Sequence, residues 1–165
     1  MEENEEVGMS LFAIYSRVST DEQNIDQQNK MLKDFAKSRN LKIRSYSDFG
    51  VSGKISDRPE WNRLIKDIEK NKIQGLIVTK WDRITRDLEY ALEFLKFWKK
   101  YQFKLLSTFE GEYIGTPDNT FSFKLKCLLS EYELEQLAWR RQIGIERAKL
   151  EGKYKGRVKG SRNKK

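Results

Sequence analysis

Leu11-Phe12-Ala13-Ile14-Tyr15 is a short apolar run that passes through Ser16-Arg17-Val18-Ser19-Thr20-Asp21-Glu22-Gln23 into a segment, Ile25 to Ser38, with Met31, Leu32 and Phe35 at helical spacing. A brief apolar run bounded by a polar loop reads as a buried strand, and a spacing of three and four reads as an amphipathic helix. The same unit recurs downstream. Leu41 to Tyr46 alternates like a strand, and Pro59 to Lys70 carries Trp61, Leu64, Ile65 and Ile68 on one helical face. Leu76-Ile77-Val78 follows Gly75 as a third strand, Asp87 to Tyr101 carries Leu88, Ala91, Leu92, Leu95 and Trp98, and Phe103 to Ser107 is a fourth strand. Pro59 stands where a first helical turn tolerates proline, after the turn-prone Ser56-Asp57. Strands alternating with helices predict an α/β layer fold with a mainly parallel sheet. In such sheets ligands gather at the carboxyl ends of the strands, which directs attention to loops beginning at Ser16, Ser47 and Thr79.

The last third of the chain follows a different rule. After Gly115-Thr116-Pro117, either Asp118 or Asn119 can cap a helix, and no Pro or Gly then occurs until Gly144. Phe121, Leu125, Leu128, Leu129, Tyr132, Leu137, Ala138, Ile145 and Ala148 recur through it. A helix continuing to Leu150 is roughly 50 Å long at 1.5 Å per residue, longer than the width of a domain this size. Part of it must then project or pair with another chain. The alternative is two helices broken near Gly144, although one glycine costs only about 1 kcal/mol in a helix. From Lys153 onward the sequence is basic and glycine-interrupted, which reads as a cationic arm that neutralises phosphates or as a solubilising tail.

Lys and Arg number 33 against 25 Asp and Glu, a formal charge of +8 that favours a polyanionic partner. Histidine is absent, which excludes Ser-His-Asp triads, Cys-His pairs and histidine metal sites, so any nucleophile is activated by Arg, Lys, Asp or Glu. The single cysteine, Cys127, excludes an intrachain disulfide, and its neighbours Leu125, Leu128 and Leu129 mark it as a small buried hydrophobe. No run approaches the ~18 apolar residues of a membrane span. The acidic start Glu2-Glu3-Asn4-Glu5-Glu6 is the reverse of a signal peptide, so a cytoplasmic protein is expected.

Three loops hold the candidate chemistry. Arg17 and Ser19 occupy alternate positions at a strand end and so point to the same side, placing a hydroxyl beside a guanidinium that binds phosphate oxygens bidentately. Read alone, Ser19-Thr20-Asp21-Glu22 serves equally as a helix N-cap with acidic first-turn residues. The loop Lys80-Trp81-Asp82-Arg83-Ile84-Thr85-Arg86-Asp87 leaves a strand predicted to neighbour the first. Arg17, Arg83 and Arg86 would repel one another unless an anion sits among them, and a phosphodiester is such an anion. The long segment Asp48 to Pro59, with Gly50, Gly53 and Arg58, reads as a further substrate-facing loop.

These motifs resemble those of the resolvase/invertase family of serine recombinases. The family's opening pattern appears as Tyr15-Ser16-Arg17-Val18-Ser19-Thr20 with Gln28 beyond it, its mobile loop as Asp48, Gly50, Ser52, Gly53 and Arg58, and its Asp-Arg motif as Trp81-Asp82-Arg83-Ile84-Thr85-Arg86-Asp87. Glu133, Arg140 and Ala148 to Gly152 match its long dimer helix. The resemblance implies a resolvase-like three-layer α/β domain with a mainly parallel central sheet and a long C-terminal helix that projects for dimerisation. It divides the chain into an acidic tail (1–10), an α/β catalytic domain (11–117), a dimerisation helix (118–152) and a basic arm, or a linker to an absent DNA-binding domain (153–165). Ser19 would be the nucleophile that forms a 5′-phosphoserine. Arg17, Arg83 and Arg86 would hold the scissile phosphate, and Asp82 would position an arginine or help protonate the leaving oxygen. Gln28, Arg58, Lys66, Lys153, Lys155 and Arg157 would contact the substrate. The implied partners are double-stranded DNA and further copies of the chain, as a homodimer assembling to a homotetramer, with no cofactor, metal, nucleotide or membrane. Two departures stand out. Leu134 replaces a common family arginine, and family members continue beyond Gly156-Arg157-Val158-Lys159-Gly160-Ser161 into a helix-turn-helix.

Two further readings compete with the recombinase. A metal-dependent nuclease would use Asp48, Asp57 and Asp82 with Lys80, although these carboxylates lie among arginines. A non-catalytic DNA-binding module would keep the fold without the reaction, against which stands the retention of Ser19 and the three arginines.

Overall fold

The computed structural model describes residues 10–18, 22–49 and 58–153. In chain order it comprises β1 (Leu11–Val18), α1 (Glu22–Ser38), β2 (Lys42–Phe49), α2 (Pro59–Glu69), β3 (Gly75–Val78), a 3-10 turn at Trp81–Arg83, α3 (Leu88–Tyr101), β4 (Lys104–Ser107), β5 (Gly111–Tyr113) and α4 (Pro117–Leu150). One sheet runs β2-β1-β3-β4-β5. The first four strands are parallel, with Tyr15 opposite both Tyr46 and Val78 and Val78 opposite Ser107, while β5 pairs antiparallel with β4. The mainly parallel α/β fold expected from the sequence is therefore present. The edge strand β5 escaped the sequence reading because three residues show no period.

Alternation along β1 sets up the layers. Phe12 and Ile14 pack with Leu32 and Ala36 of α1 and with Ile77. Ala13 and Tyr15 face the other way, into a larger core with Trp61 and Leu64 of α2, Phe94 of α3 and Phe123 and Cys127 of α4. The sheet thus lies between α1 and the other helices, as a three-layer domain. The same alternation carries past the apolar run. The Ser16 hydroxyl donates to Asn29 Oδ1 of α1 at 2.8 Å, whereas Arg17 belongs to the opposite face with Tyr15. Both polar strand ends were expected to be loop. In fact β1 and β2 continue to Val18 and Phe49, because parallel pairing runs on through Ser16–Ser47 and Arg17–Asp48.

α4 is launched by a tight corner. Gly115 takes φ +75°, and a Cβ there would lie 2.7 Å from the Trp98 ring, so the close approach requires glycine. The cap is Thr116, whose side chain accepts the Asn119 amide at 3.3 Å, with Pro117 in the first turn; Asp118 and Asn119 are already helical. The helix runs 34 residues without interruption at Gly144, so the single-helix reading holds and the two-helix alternative does not. Phe123 and Cys127 are buried against the core, while Leu134, Leu137, Trp139, Ile143 and Leu150 are exposed, so α4 leaves the domain after its first three turns. Burial pushes the Cys127 thiol up to about 12, with nearby Asp82, Glu131 and Asp87 adding to the shift, as suits a packed hydrophobe. Among the described residues, no helix is long and apolar enough to cross a membrane.

Candidate active site

The carboxyl ends of β1, β2 and β3 meet the start of α2, and the site is built on that junction. Tyr15 is fully buried, and its hydroxyl donates to Asp48 Oδ2 at 3.0 Å. Burial first, and then the Asp48 charge, push the phenol's pKa far upward, so it stays a donor. The amides of Glu60 and Trp61 donate to Asp48 Oδ1 and Oδ2, each at 3.0 Å. Asp48 therefore lies not in a loop but on β2, where it caps α2 from a distance; Arg58, at the N-cap position, makes no side-chain cap. Asp48→Ala would leave two helix-end amides and a buried phenol unpaired. It is expected to lower unfolding free energy by about 3 kcal/mol, checked by urea denaturation.

Arg17, next to last on β1, is 6% exposed. Its pKa falls to about 10, from desolvation first, then from Arg58, Arg86 and Arg83. Even so, a guanidinium remains charged at neutral pH. Arg83 leans toward the Arg17 carbonyl, with Nη1 3.5 Å away, and both Arg83 Nη2 and Arg86 Nη2 donate to Asp82 Oδ2 at 3.3 Å. Asp82 is thus the clamp that sets two arginines side by side. Asp87 fixes the far end of this loop, taking the Tyr90 amide at 2.8 Å as the cap of α3. Among the described residues, Arg17 Nε, Arg86 Nε and Asp82 Oδ1 are buried with no hydrogen-bond partner. Unpaired buried donors on neighbouring cations are costly as they stand, and a phosphate would satisfy them and the charge together.

The structure brings together Arg17, Asp82, Arg83 and Arg86, as the sequence suggests, and supplies in Asp82 part of the anion that the arginines need. Arg58 joins them from the inside. It is 1% exposed and Nη1 donates to the Ile84 carbonyl at 2.7 Å, so it braces the arginine loop from within. Lys66 is exposed, about 10 Å along α2 from Pro59. Gln28 is half-buried on α1 beside Asn29, in the layer across the sheet. Lys153 stands just past the end of α4, with Nζ 2.8 Å from Glu151 Oε2. Ser19, Lys155 and Arg157 lie outside the described residues, as do most of the Asp48–Pro59 loop and Asp57.

Asp48, with both oxygens taken by amides and a phenol, does not turn toward Asp82. Among the described residues no group of acidic, cysteine or histidine side chains converges as a cation-binding set. One polar residue escaped the sequence reading: Glu110, in the turn between β4 and β5, accepts the Trp81 amide at 3.2 Å. Its only sequence signal is a carboxylate before a glycine.

Comparison with known proteins agrees with this geometry. The family described as "Resolvase, N terminal domain" matches residues 12–154. A Bacillus subtilis protein named as a DNA recombinase is 32% identical over 139 residues, covering 81% of this chain and 27% of its own length. The Tn917 resolvase of Enterococcus faecalis is 25% identical, with 87% of this chain and 73% of the relative covered. The DNA-invertase hin of Salmonella typhimurium is 29% identical, with 87% and 71% covered. Among solved structures, the N-terminal catalytic domain of TP901-1 integrase superposes with a TM-score of 0.61 at 28% identity, over 77% of this chain and 98% of that one. A resolvase family site-specific recombinase from Streptococcus pneumoniae gives 0.57 at 25% identity, over 85% and 99%. With the family match running from β1 to the end of α4, and the arginine loop falling inside it, the chain belongs to the resolvase family of serine recombinases, as an N-terminal catalytic domain.

Proposed function

We propose that this chain cleaves and rejoins double-stranded DNA at a specific site through a 5′-phosphoserine on Ser19. The observation that carries the reading is the cluster of Arg17, Arg83 and Arg86 around Asp82, with buried guanidinium nitrogens left unpaired at the carboxyl ends of parallel strands. Attack by the Ser19 oxygen on phosphorus forms the phosphoserine ester and releases the 3′ oxygen of the neighbouring nucleotide, which leaves as a hydroxyl. Rejoining is the reverse attack, by a 3′ hydroxyl, and restores the serine. The bond energy is kept in the ester, so neither nucleotide nor metal is required. The arginines stabilise the extra negative charge of the pentavalent transition state. Asp82 holds two of them and keeps Oδ1 open to a donor on the substrate.

An extended duplex is the fitting substrate. From Cys127, which touches the arginine loop through the Thr85 carbonyl, α4 reaches about 35 Å to its end at Leu150, the length of roughly ten base pairs. The basic residues from Lys153 onward, Lys155 and Arg157 among them, would follow the duplex away from the cut and add affinity more than sequence choice. The reaction would take place in the cytoplasm, where such DNA is found.

The exposed side chains of α4 support assembly with further copies of the chain. Phe121, Leu125, Leu128, Tyr132, Trp139 and Ile143 form one exposed apolar stripe, while Leu134 and Leu137 continue the opposite, core-facing side beyond the domain. A helix apolar on two faces calls for cover on both, which suits a dimer that pairs again as a tetramer. Sedimentation equilibrium is expected to show dimer at micromolar concentration; monomer throughout would refute the dimer.

The nuclease alternative and the recombinase separate in one assay. Supercoiled substrate DNA incubated with the protein in EDTA is expected to give a covalent protein–DNA adduct. Cleavage that EDTA abolishes would overturn the reading, and so would tight binding with no cleavage under any condition.

A further inference from the structure

Glu110 lies between two parts of the molecule that the reaction has to keep in register. Its side chain is 17% exposed. Oε2 accepts the Trp81 amide at 3.2 Å and also pairs with the Ser107 hydroxyl. Oε1 faces Lys126 of α4, with Nζ 3.9 Å away. Trp81 opens the 3-10 turn, and the next residue is Asp82, the clamp for Arg83 and Arg86. Beside this chain of contacts is a mainly polar cavity of about 230 Å³ lined by Lys80, Asp82, Glu110, Lys126, Ser130 and Glu133, with Leu129 the one apolar side chain in its wall, so the gap between the arginine loop and α4 is not packed shut there. The Trp81 indole is anchored separately, 5.7 Å from Phe123 and 6.3 Å from Tyr113 between ring centroids.

We propose that Glu110 is a positioning residue for the arginine clamp: it fixes the backbone at Trp81, and with it the point from which Asp82 reaches Arg83 and Arg86, and its pairing with Lys126 makes that setting depend on α4. The inference rests on the recombinase reading for its catalytic consequence and on the contacts alone for its structural one. Glu110 touches neither the arginines nor the phosphate position they define. Its effect on rate would come through the placement of Asp82, since small misplacements of charged groups are costly to reaction and nearly silent in binding.

Three variants of the full chain test it: Glu110→Ala, Glu110→Gln and Lys126→Met. The readouts are the single-turnover rate of adduct formation on supercoiled substrate DNA, duplex affinity, and hydrogen exchange at the Trp81 amide without DNA. Glu110→Ala is expected to slow adduct formation about tenfold or more, leave affinity within about twofold, and speed Trp81 exchange about tenfold. Glu110→Gln keeps an acceptor oxygen for the amide and should restore the rate to within about threefold of the wild type, with Trp81 protected. Lys126→Met should keep Trp81 protected and slow the reaction by an intermediate factor. A wild-type rate in Glu110→Ala, a glutamine variant no better than alanine, a parallel loss of rate and affinity, or a wild-type rate in Lys126→Met would each overturn the proposal. Were the wild type to form no adduct at all, the recombinase reading would fail; the exchange measurement would still judge Glu110, and unchanged exchange in Glu110→Ala would refute it.

Discussion

Ser19→Ala is expected to abolish the covalent protein–DNA adduct, to below about one part in 10⁴ of the wild-type rate, with duplex affinity unchanged within about twofold. The expectation starts from composition. With no histidine and one buried cysteine, the chain offers neither a histidine base nor a reactive thiol, and a hydroxyl beside fixed positive charge is the nucleophile that its residues can assist. In the sequence, Ser19 follows Arg17 at the interval that would return to the same side of a strand. The neighbouring hydroxyl cannot replace it: Ser16 is fully buried on the opposite face, bonded to Asn29 and Ser47 at 2.8 Å each. The measurement is denaturing electrophoresis of labelled DNA after a single turnover. Adduct at near-wild-type yield in the alanine variant would remove Ser19 from the mechanism.

The second large effect is expected at the arginines. Arg17→Ala and Arg83→Ala should each slow adduct formation about 10²- to 10³-fold, the scale of losing one preorganised charge donor at a developing oxyanion. Duplex affinity should change by no more than about threefold, because one phosphate contact among many carries little of the binding. Arg17→Lys should not restore the rate, since an ammonium cannot reproduce the bidentate fork. The signs for rate and stability separate here. Arg17 is a buried cation held among Arg58, Arg83 and Arg86, with its pKa lowered to about 10 by desolvation and those charges. Its removal relieves repulsion, so Arg17→Ala should leave the thermal midpoint unchanged or raised even as the reaction stops. The check pairs adduct kinetics with thermal denaturation. A rate loss accompanied by a fall in stability would mean that Arg17 supports the fold rather than the phosphate.

How much of this was legible in the sequence depended on the range of the interaction. Periodicity reported the strands and helices well, because Phe12, Ile14 and Leu32, or Trp61, Leu64 and Ile68, are buried by simple alternation or helical spacing. It also brought Arg17, Arg83 and Arg86 to neighbouring strand ends. It failed where one residue serves an element distant in sequence. Asp48 looked like a loop residue or a metal ligand, and turned out to cap α2 from β2, because the distances that decide its role lie between strands and helices. Arg58 read as a phosphate contact on a substrate-facing loop, and its burial and its bond to the Ile84 carbonyl were not legible, because a loop position says nothing of which carbonyl is within reach. Glu110 stands in the turn before a strand too short to predict, and its partner, the Trp81 amide, is distant in sequence.

The central claim is a phosphate ester on one serine, and the direct measurement is mass spectrometry of the trapped adduct after nuclease and protease digestion. The account predicts a nucleotide esterified through its 5′ phosphate to the Ser19 hydroxyl on the peptide that contains it, formed in EDTA as readily as without it. A modification on any other residue, a linkage through the 3′ phosphate, or cleaved DNA with no attached peptide would contradict it.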